Sequence, residues 1–174
     1  DGGDTESVRR WTGLGEDRFL AEAYSLTRPL SPHRSAELDG VRIDPERLKE
    51  LPRTRRRLVV ELAGGLLVPW TEDFLQIDAL SRWRAPVVLV ARTGLGAINH
   101  CLLSIEALAF RRIPLQGLLF VGKAGEDSER AILEFSGARR LGRLPTLDAI
   151  GPAALKRAFR DNFSAADFAA PIHA

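Results

Sequence analysis

Three short stretches carry residue types that could meet a charged ligand. In Glu61-Leu-Ala-Gly-Gly65 a carboxylate closes an apolar run and is followed by two glycines, which let the backbone turn or approach a ligand closely. Spacing alone fits equally well a strand end bearing a solvated acid. In Ala91-Arg-Thr-Gly-Leu-Gly-Ala-Ile-Asn-His100 glycines lead into a helical pattern. The free amides and dipole at such a helix start favour an anion, although a plain strand-to-helix connection would look similar. Gly142-Arg-Leu-Pro-Thr-Leu147 reads as a short strand running into a loop and by itself says little.

Other chemistries find less support. A phosphate loop needs glycines followed by Lys and then Ser or Thr, whereas Gly94 and Gly96 are followed by Ala97 and Ile98. His33, His100 and His173 are too scattered in sequence for a metal-ligand constellation, and Cys101 beside His100 has no evident orienting acid.

The elements that would position these stretches follow from hydrophobic periodicity. Asp4 and Thr5 can cap a helix running towards Gly13, since their side-chain oxygens can accept from first-turn amides. Residues 18–52 hold four prolines and few apolar runs, and are expected to be mostly loop with a short helix over 45–51. Then apolar runs and helical patterns alternate: a run at 58–62, a helix over 72–83, a run at 86–91, a helix over 97–112, a run at 115–121, a helix over 127–136 and a short strand over 140–142. Continuously apolar strands alternating with helices predict a doubly wound α/β fold, its mostly parallel sheet covered by helices on both faces. Ligands in such sheets bind at the carboxyl ends of the strands, where the three stretches fall. One domain is expected over 1–163, with a disordered alanine-rich tail over 164–174.

Composition narrows the function classes. Basic and acidic side chains number 25 and 23, so the formal charge is only +2 and no basic field favours nucleic acid. The densest basic run, Arg53 with Arg55, Arg56 and Arg57, has no aromatic neighbour to stack on bases and reads as a solvated turn. A single cysteine excludes an intrachain disulfide and points to a reducing, cytoplasmic setting. No apolar run reaches the roughly 18 residues of a membrane span, and the polar start is unlike a signal peptide. The chain opens at Asp1 without a methionine, which raises the expectation of a fragment.

Taken together, ELAGG with LLVPW after it, VARTGLGAINH with LLSIEAL after it, and LGRLP near the end resemble the dethiobiotin synthetases in identity, order and spacing. SPHRSAEL at 31–38 and the opening GGDTES fit the same family, and the likeness runs from Asp1 to about Phe163. The resemblance implies a fold like that of P-loop NTPases, a homodimer, and an enzyme that joins CO2 to 7,8-diaminopelargonic acid, activates the carbamate with ATP, and closes the ring. It further implies that Asp4 and Glu61 are the magnesium-binding acids and that the nucleotide is met by Asp4 and by Glu61, Leu62, Ala63 and Gly64. Pro145, Thr146 and Leu147 match the adenine-side loop. Leu95, Gly96 and Asn99 match the turn that binds the substrate carboxylate across the dimer. The family's phosphate loop and lysines are expected upstream, with the first strands, so that no catalytic residue lies in this chain and the chain alone is inactive.

Two positions depart from the family pattern. Leu62 replaces the glycine usual after the strand-end acid, and Val121-Gly122 stands where an Asn-Gly or Asn-Asp pair commonly reads the adenine edge. Valine cannot hydrogen-bond that edge. A non-catalytic relative acting as a dimerisation or binding module is the alternative. A glutamine-dependent amide ligase would share the fold, but lacks the TGLGAINH signature in this form.

Overall fold

The computed structural model describes residues 3–169. In chain order these form α1 (Asp4–Thr12), α2 (Pro32–Asp39), α3 (Gln76–Trp83), β1 (Val87–Arg92), α4 (Ala97–Phe110), β2 (Leu115–Val121), α5 (Glu126–Ser136), β3 (Arg140–Leu144) and α6 (Pro152–Asn162), with 3-10 turns at Glu16–Arg18, Pro45–Leu48 and Ala165–Phe168. Within the range read as one domain, contacts group the residues into two compact units.

The first unit comprises Asp1–Ala21, Pro86–Glu106 and Pro114–Ala174 and holds the α/β architecture. Its sheet has three strands in the order β1-β2-β3, and both pairs run parallel. Parallel strands need a crossover between them, which α4 and α5 supply. The register sets Arg92 beside Val121 and Val121 beside Leu144, so the carboxyl ends of all three strands are level. Leu118 and Phe120, two apart and therefore on one face of β2, are completely buried against Ala91, Cys101 and Ile132. Burying each contributes about 1.5–3 kcal/mol over leaving it exposed.

The glycine in Leu-Gly-Arg-Leu-Pro has a packing reason. Gly142 bridges to Phe163 at a φ of 150°, and a Cβ there would run into the Asn162 carbonyl and the Phe163 ring. Residues after Phe163 continue onto the same unit. The Phe168 ring lies 5.6 Å from that of Phe159, Gln116 Nε2 donates to the Asp167 carbonyl at 2.6 Å, and Arg139 pairs with Asp167. Residues 170–174 of the expected tail, His173 among them, lie outside the described residues.

The second unit comprises Glu22–Ala85 and Ala107–Ile113. Trp70, Phe74 and Ala79 form a buried cluster against which Leu48, Leu62 and Trp83 pack. Here α3 begins at Gln76, later than the helix expected from residue 72. The chain first makes a turn in which Trp70 N–H donates to the Phe74 carbonyl at 2.9 Å. Asp78 then caps the helix, its carboxylate accepting from Leu75 N–H at 2.9 Å.

Other expectations need correction. Residues 58–62 are irregular, not a strand, and Val59 is 89% exposed; an apolar run becomes a strand only through ladder partners, and among the described residues none pairs with it. The stretch 18–52 contains α2, started by Pro32 in the first turn and ended by Gly40 in the left-handed conformation. Asp4 is the first residue inside α1 and Gly3 is its cap, with no side-chain cap bond. Asp4 therefore favours that helix through its charge near the dipole.

Candidate functional site

In the first unit the strand ends are tied together by hydrogen bonds. Thr93, just beyond β1, donates from its backbone N–H to the Val121 carbonyl at 3.0 Å and from Oγ1 to the same oxygen at 3.2 Å. Gly122 N–H, just beyond β2, donates to the Leu144 carbonyl at 2.9 Å. The chain segments leaving the three strands therefore emerge side by side, along the edge where parallel sheets take ligands.

After Thr93 the chain turns into α4, with Ala97 N–H bonded to the Gly94 carbonyl and His100 N–H to the Gly96 carbonyl, both at 3.1 Å. The amides of Ile98 and Asn99 have no backbone acceptor among the described residues, as first-turn amides ordinarily lack one. Leu95, Gly96 and Asn99 thus occupy one exposed turn, the Leu95 side chain standing free of the protein surface at 110% exposure. Beside this turn a cavity of about 430 Å³ is bounded by Leu89, Ala91, Thr93, Leu95, His100 and Cys101. Burial pushes the Cys101 thiol above its ordinary pKa, against the thiolate form that a nucleophile needs.

Pro145, Thr146 and Leu147 follow β3 directly, the first two exposed and Leu147 half-buried. Register and the Gly122 bond bring this segment next to Val121. Asp4 opens α1, exposed and followed in the same turn by Glu6.

The second unit holds the Glu61 segment. Glu61, Ala63 and Gly64 are exposed, whereas Leu62 is half-buried and packs on the Trp70 cluster. This accounts for leucine after the acid: the side chain anchors the segment by apolar contact. Gly64 takes a φ of 80°, where a Cβ would also press to 3.1 Å from Val68, so the turn after the acid requires glycine. The Gly65 carbonyl accepts from Val68 N–H at 3.1 Å and from Gln76 Nε2 at 3.0 Å. In the SPHRSAEL segment Ser35 is fully buried, donating its hydroxyl to the Arg28 carbonyl and accepting from Arg28 N–H, a structural role.

The residues singled out from the sequence thus fall into three local groups. Leu95, Gly96 and Asn99 form one turn, Pro145, Thr146 and Leu147 join Val121, and Glu61, Leu62, Ala63 and Gly64 form one loop. Asp4 belongs to the first unit and Glu61 to the second. Sequence reasoning missed Thr93, whose position immediately after an apolar strand was the available signal, and Gln76, which gave none. Among the described residues no group of three or more His, Cys, Asp or Glu side chains could hold a metal. Exposed carboxylates suit magnesium, which takes one or two of them and completes its shell with phosphate and water oxygens. No helix among the described residues is long and apolar enough to cross a membrane.

A family model described as an AAA domain matches residues 1–154. The ATP-dependent dethiobiotin synthetase of Rhodopseudomonas palustris is 59% identical over 165 residues, which are 95% of this chain and 77% of that protein. The enzyme of the same name from Bradyrhizobium diazoefficiens is 52% identical over 95% of this chain and 78% of its own length. That from Agrobacterium fabrum is 50% identical over 95% and 77%.

Proposed function

The chain belongs to the dethiobiotin synthetase family, ATP-dependent ligases of biotin biosynthesis, and from that premise we propose that it takes part in closing the ureido ring of dethiobiotin from 7,8-diaminopelargonic acid, CO2 and ATP. The observation that carries this reading is the levelled row of strand ends, in which the glycine turn into α4 and the segment after β3 share one edge of the sheet.

One amine of the substrate takes up CO2 as a carbamate, a poor electrophile until the γ-phosphoryl group of ATP is transferred to it. The second amine then attacks the activated carbon, and phosphate leaves as the ring closes. In this reaction the first-turn amides of α4 and the side chain of Asn99 hold the substrate carboxylate, reaching it from the neighbouring copy of a homodimer. Residues 145–147 and Val121 flank the adenine, packing on it without hydrogen-bonding its edge through Val121. Glu61 is the acid that would hold magnesium, with residues 62–64 beside it against the phosphates. When bound, the ion supplies charge neutralisation for phosphoryl transfer.

Asp1–Ala174 contain no glycine loop carrying Lys and then Ser or Thr, the feature that cradles and spans a triphosphate in this fold class. These residues alone accordingly bind ATP weakly and do not turn over, and the remaining groups of the reaction come from a phosphate-loop segment. The competing reading, a binding module without catalysis, draws on the same absence. Both are tested in a biotin auxotroph lacking its own dethiobiotin synthetase. Expression of this chain joined behind the family's phosphate-loop segment restores growth without biotin, and growth only when dethiobiotin is fed would favour the binding module. We place the reaction in the cytoplasm, in keeping with a chain that carries a single, free cysteine, Cys101.

A further inference from the structure

Gln76 is the first residue of α3, where a polar side chain would ordinarily lie in water. Here it is 1% exposed and both ends of its amide are used. Nε2 donates to the Gly65 carbonyl at 3.0 Å, and Oε1 accepts from the indole Nε1–H of Trp70 at 3.2 Å. Its backbone N–H donates to the Val68 carbonyl and that of Ile77 to the Leu66 carbonyl, both at 2.9 Å. The start of α3 therefore satisfies its first amides with carbonyls of the segment that follows Glu61. That segment is held at two points: Leu62 sits on the Trp70, Phe74 and Ala79 cluster, and Gly65 is pinned by the Gln76 amide. Between them lie Ala63 and Gly64, the latter in a conformation that suits only glycine.

We propose that Gln76 is a positioning residue for the nucleotide and metal chemistry: by gripping the Gly65 carbonyl from one side and the Trp70 indole from the other, it fixes the course of residues 61–65. The proposal rests on the reading of Glu61 as a magnesium-binding acid. A glutamine suits the task because it is neutral, so it can be buried at modest cost once bonded, and because it carries a donor and an acceptor on one planar group. Glutamate would offer no donor to the Gly65 carbonyl, and leucine would fill a similar space while leaving that carbonyl and the indole N–H unpaired.

The test uses this chain joined behind the family's phosphate-loop segment, in four forms: unchanged, Glu61→Gln, Gln76→Leu and Trp70→Phe. The magnesium dependence of turnover is read alongside kcat and the KM for 7,8-diaminopelargonic acid. Hydrogen exchange of the 61–68 segment is followed in each. In Gln76→Leu the segment exchanges faster, the magnesium requirement rises about fivefold, as expected from one lost hydrogen bond of about 1 kcal/mol, and kcat falls with that KM unchanged. Trp70→Phe keeps an aromatic ring while losing the indole donor and part of the ring's bulk, and shows a smaller change in the same direction, so the outcome does not depend on Gln76→Leu folding well. A purely structural role would lower thermal stability in both variants without moving the magnesium requirement, and that result would overturn the proposal. An unchanged magnesium requirement in Glu61→Gln, or absent turnover in the unchanged protein, would instead overturn the reading of Glu61 on which the proposal stands.

Discussion

The segment from Glu61 to Gln76 and the turn from Thr93 to Asn99 both follow the pattern of an apolar run, a polar residue and glycines, yet they are held in opposite ways. The first is fixed by side chains: Leu62 in an aromatic cluster, and Gln76 bonded to Gly65 and Trp70. The second is fixed by backbone bonds at its base, from Thr93 to Val121 and from Ala97 to Gly94, while Leu95, Gly96 and Asn99 stand exposed. On the proposed reading, the first arrangement gives a carboxylate that meets a metal a rigid support within its own chain, and the second lets a turn project towards a neighbouring copy.

The largest effects should separate the two regions by stability. Trp70→Ala removes a buried indole and leaves Gln76 Oε1 without its donor, and should cost about 3–5 kcal/mol in denaturant unfolding of the second unit. Leu95→Ala, at a side chain in water, should change stability by less than about 0.5 kcal/mol. Equal losses in the two variants would break the comparison.

On activity the order continues. In the chain joined behind the phosphate-loop segment, Glu61→Gln should cut turnover at least about tenfold, roughly 1.4 kcal/mol in the barrier, and raise the magnesium requirement. Asn99→Ala should act on substrate affinity, raising the KM for 7,8-diaminopelargonic acid about fivefold through one lost hydrogen bond. Mixing Asn99→Ala chains with Glu61→Gln chains should recover part of the activity, because hybrid dimers then carry one intact site. Failure of the mixture to recover would mean that each site is built from one chain.

The smallest effect concerns the base. The Val121 side chain carries no donor or acceptor, so on the proposed placement of the adenine beside it a kinetic comparison of ATP, GTP and CTP should show only a modest preference for ATP. Discrimination above about a thousandfold, within reach of a dedicated hydrogen-bonding site, would show that backbone groups near Pro145 read the base after all.

Much of the fold was legible because its signals are local. The apolar run at 115–121 is β2 to the residue, and the helical pattern from Ala97 became α4. Residues 58–62 show the limit: their composition is that of a strand, but a strand is defined by partners elsewhere in the chain. For α2 the signal was present, since proline at the helix start and glycine just past its end punctuate a short helix, and the surrounding prolines masked it. The α3 boundary depended on the Trp70 and Phe74 turn, which periodicity does not encode. Glycine turns, and an acid beside glycines, stand out by residue type alone. Gln76 does not, because a glutamine at a helix start reads as solvated until its contacts are seen.

The central claim is that these strand-end segments belong to an ATP-dependent ring-closing ligase. Its most direct test is mass-spectrometric detection of product from 7,8-diaminopelargonic acid, bicarbonate and Mg-ATP, using this chain joined behind the phosphate-loop segment of the Rhodopseudomonas palustris relative. The account predicts dethiobiotin, with one ADP and one phosphate formed for each molecule, and none from Asp1–Ala174 by themselves. ATP hydrolysis without dethiobiotin, or no reaction at all while the relative is active under the same conditions, would contradict it.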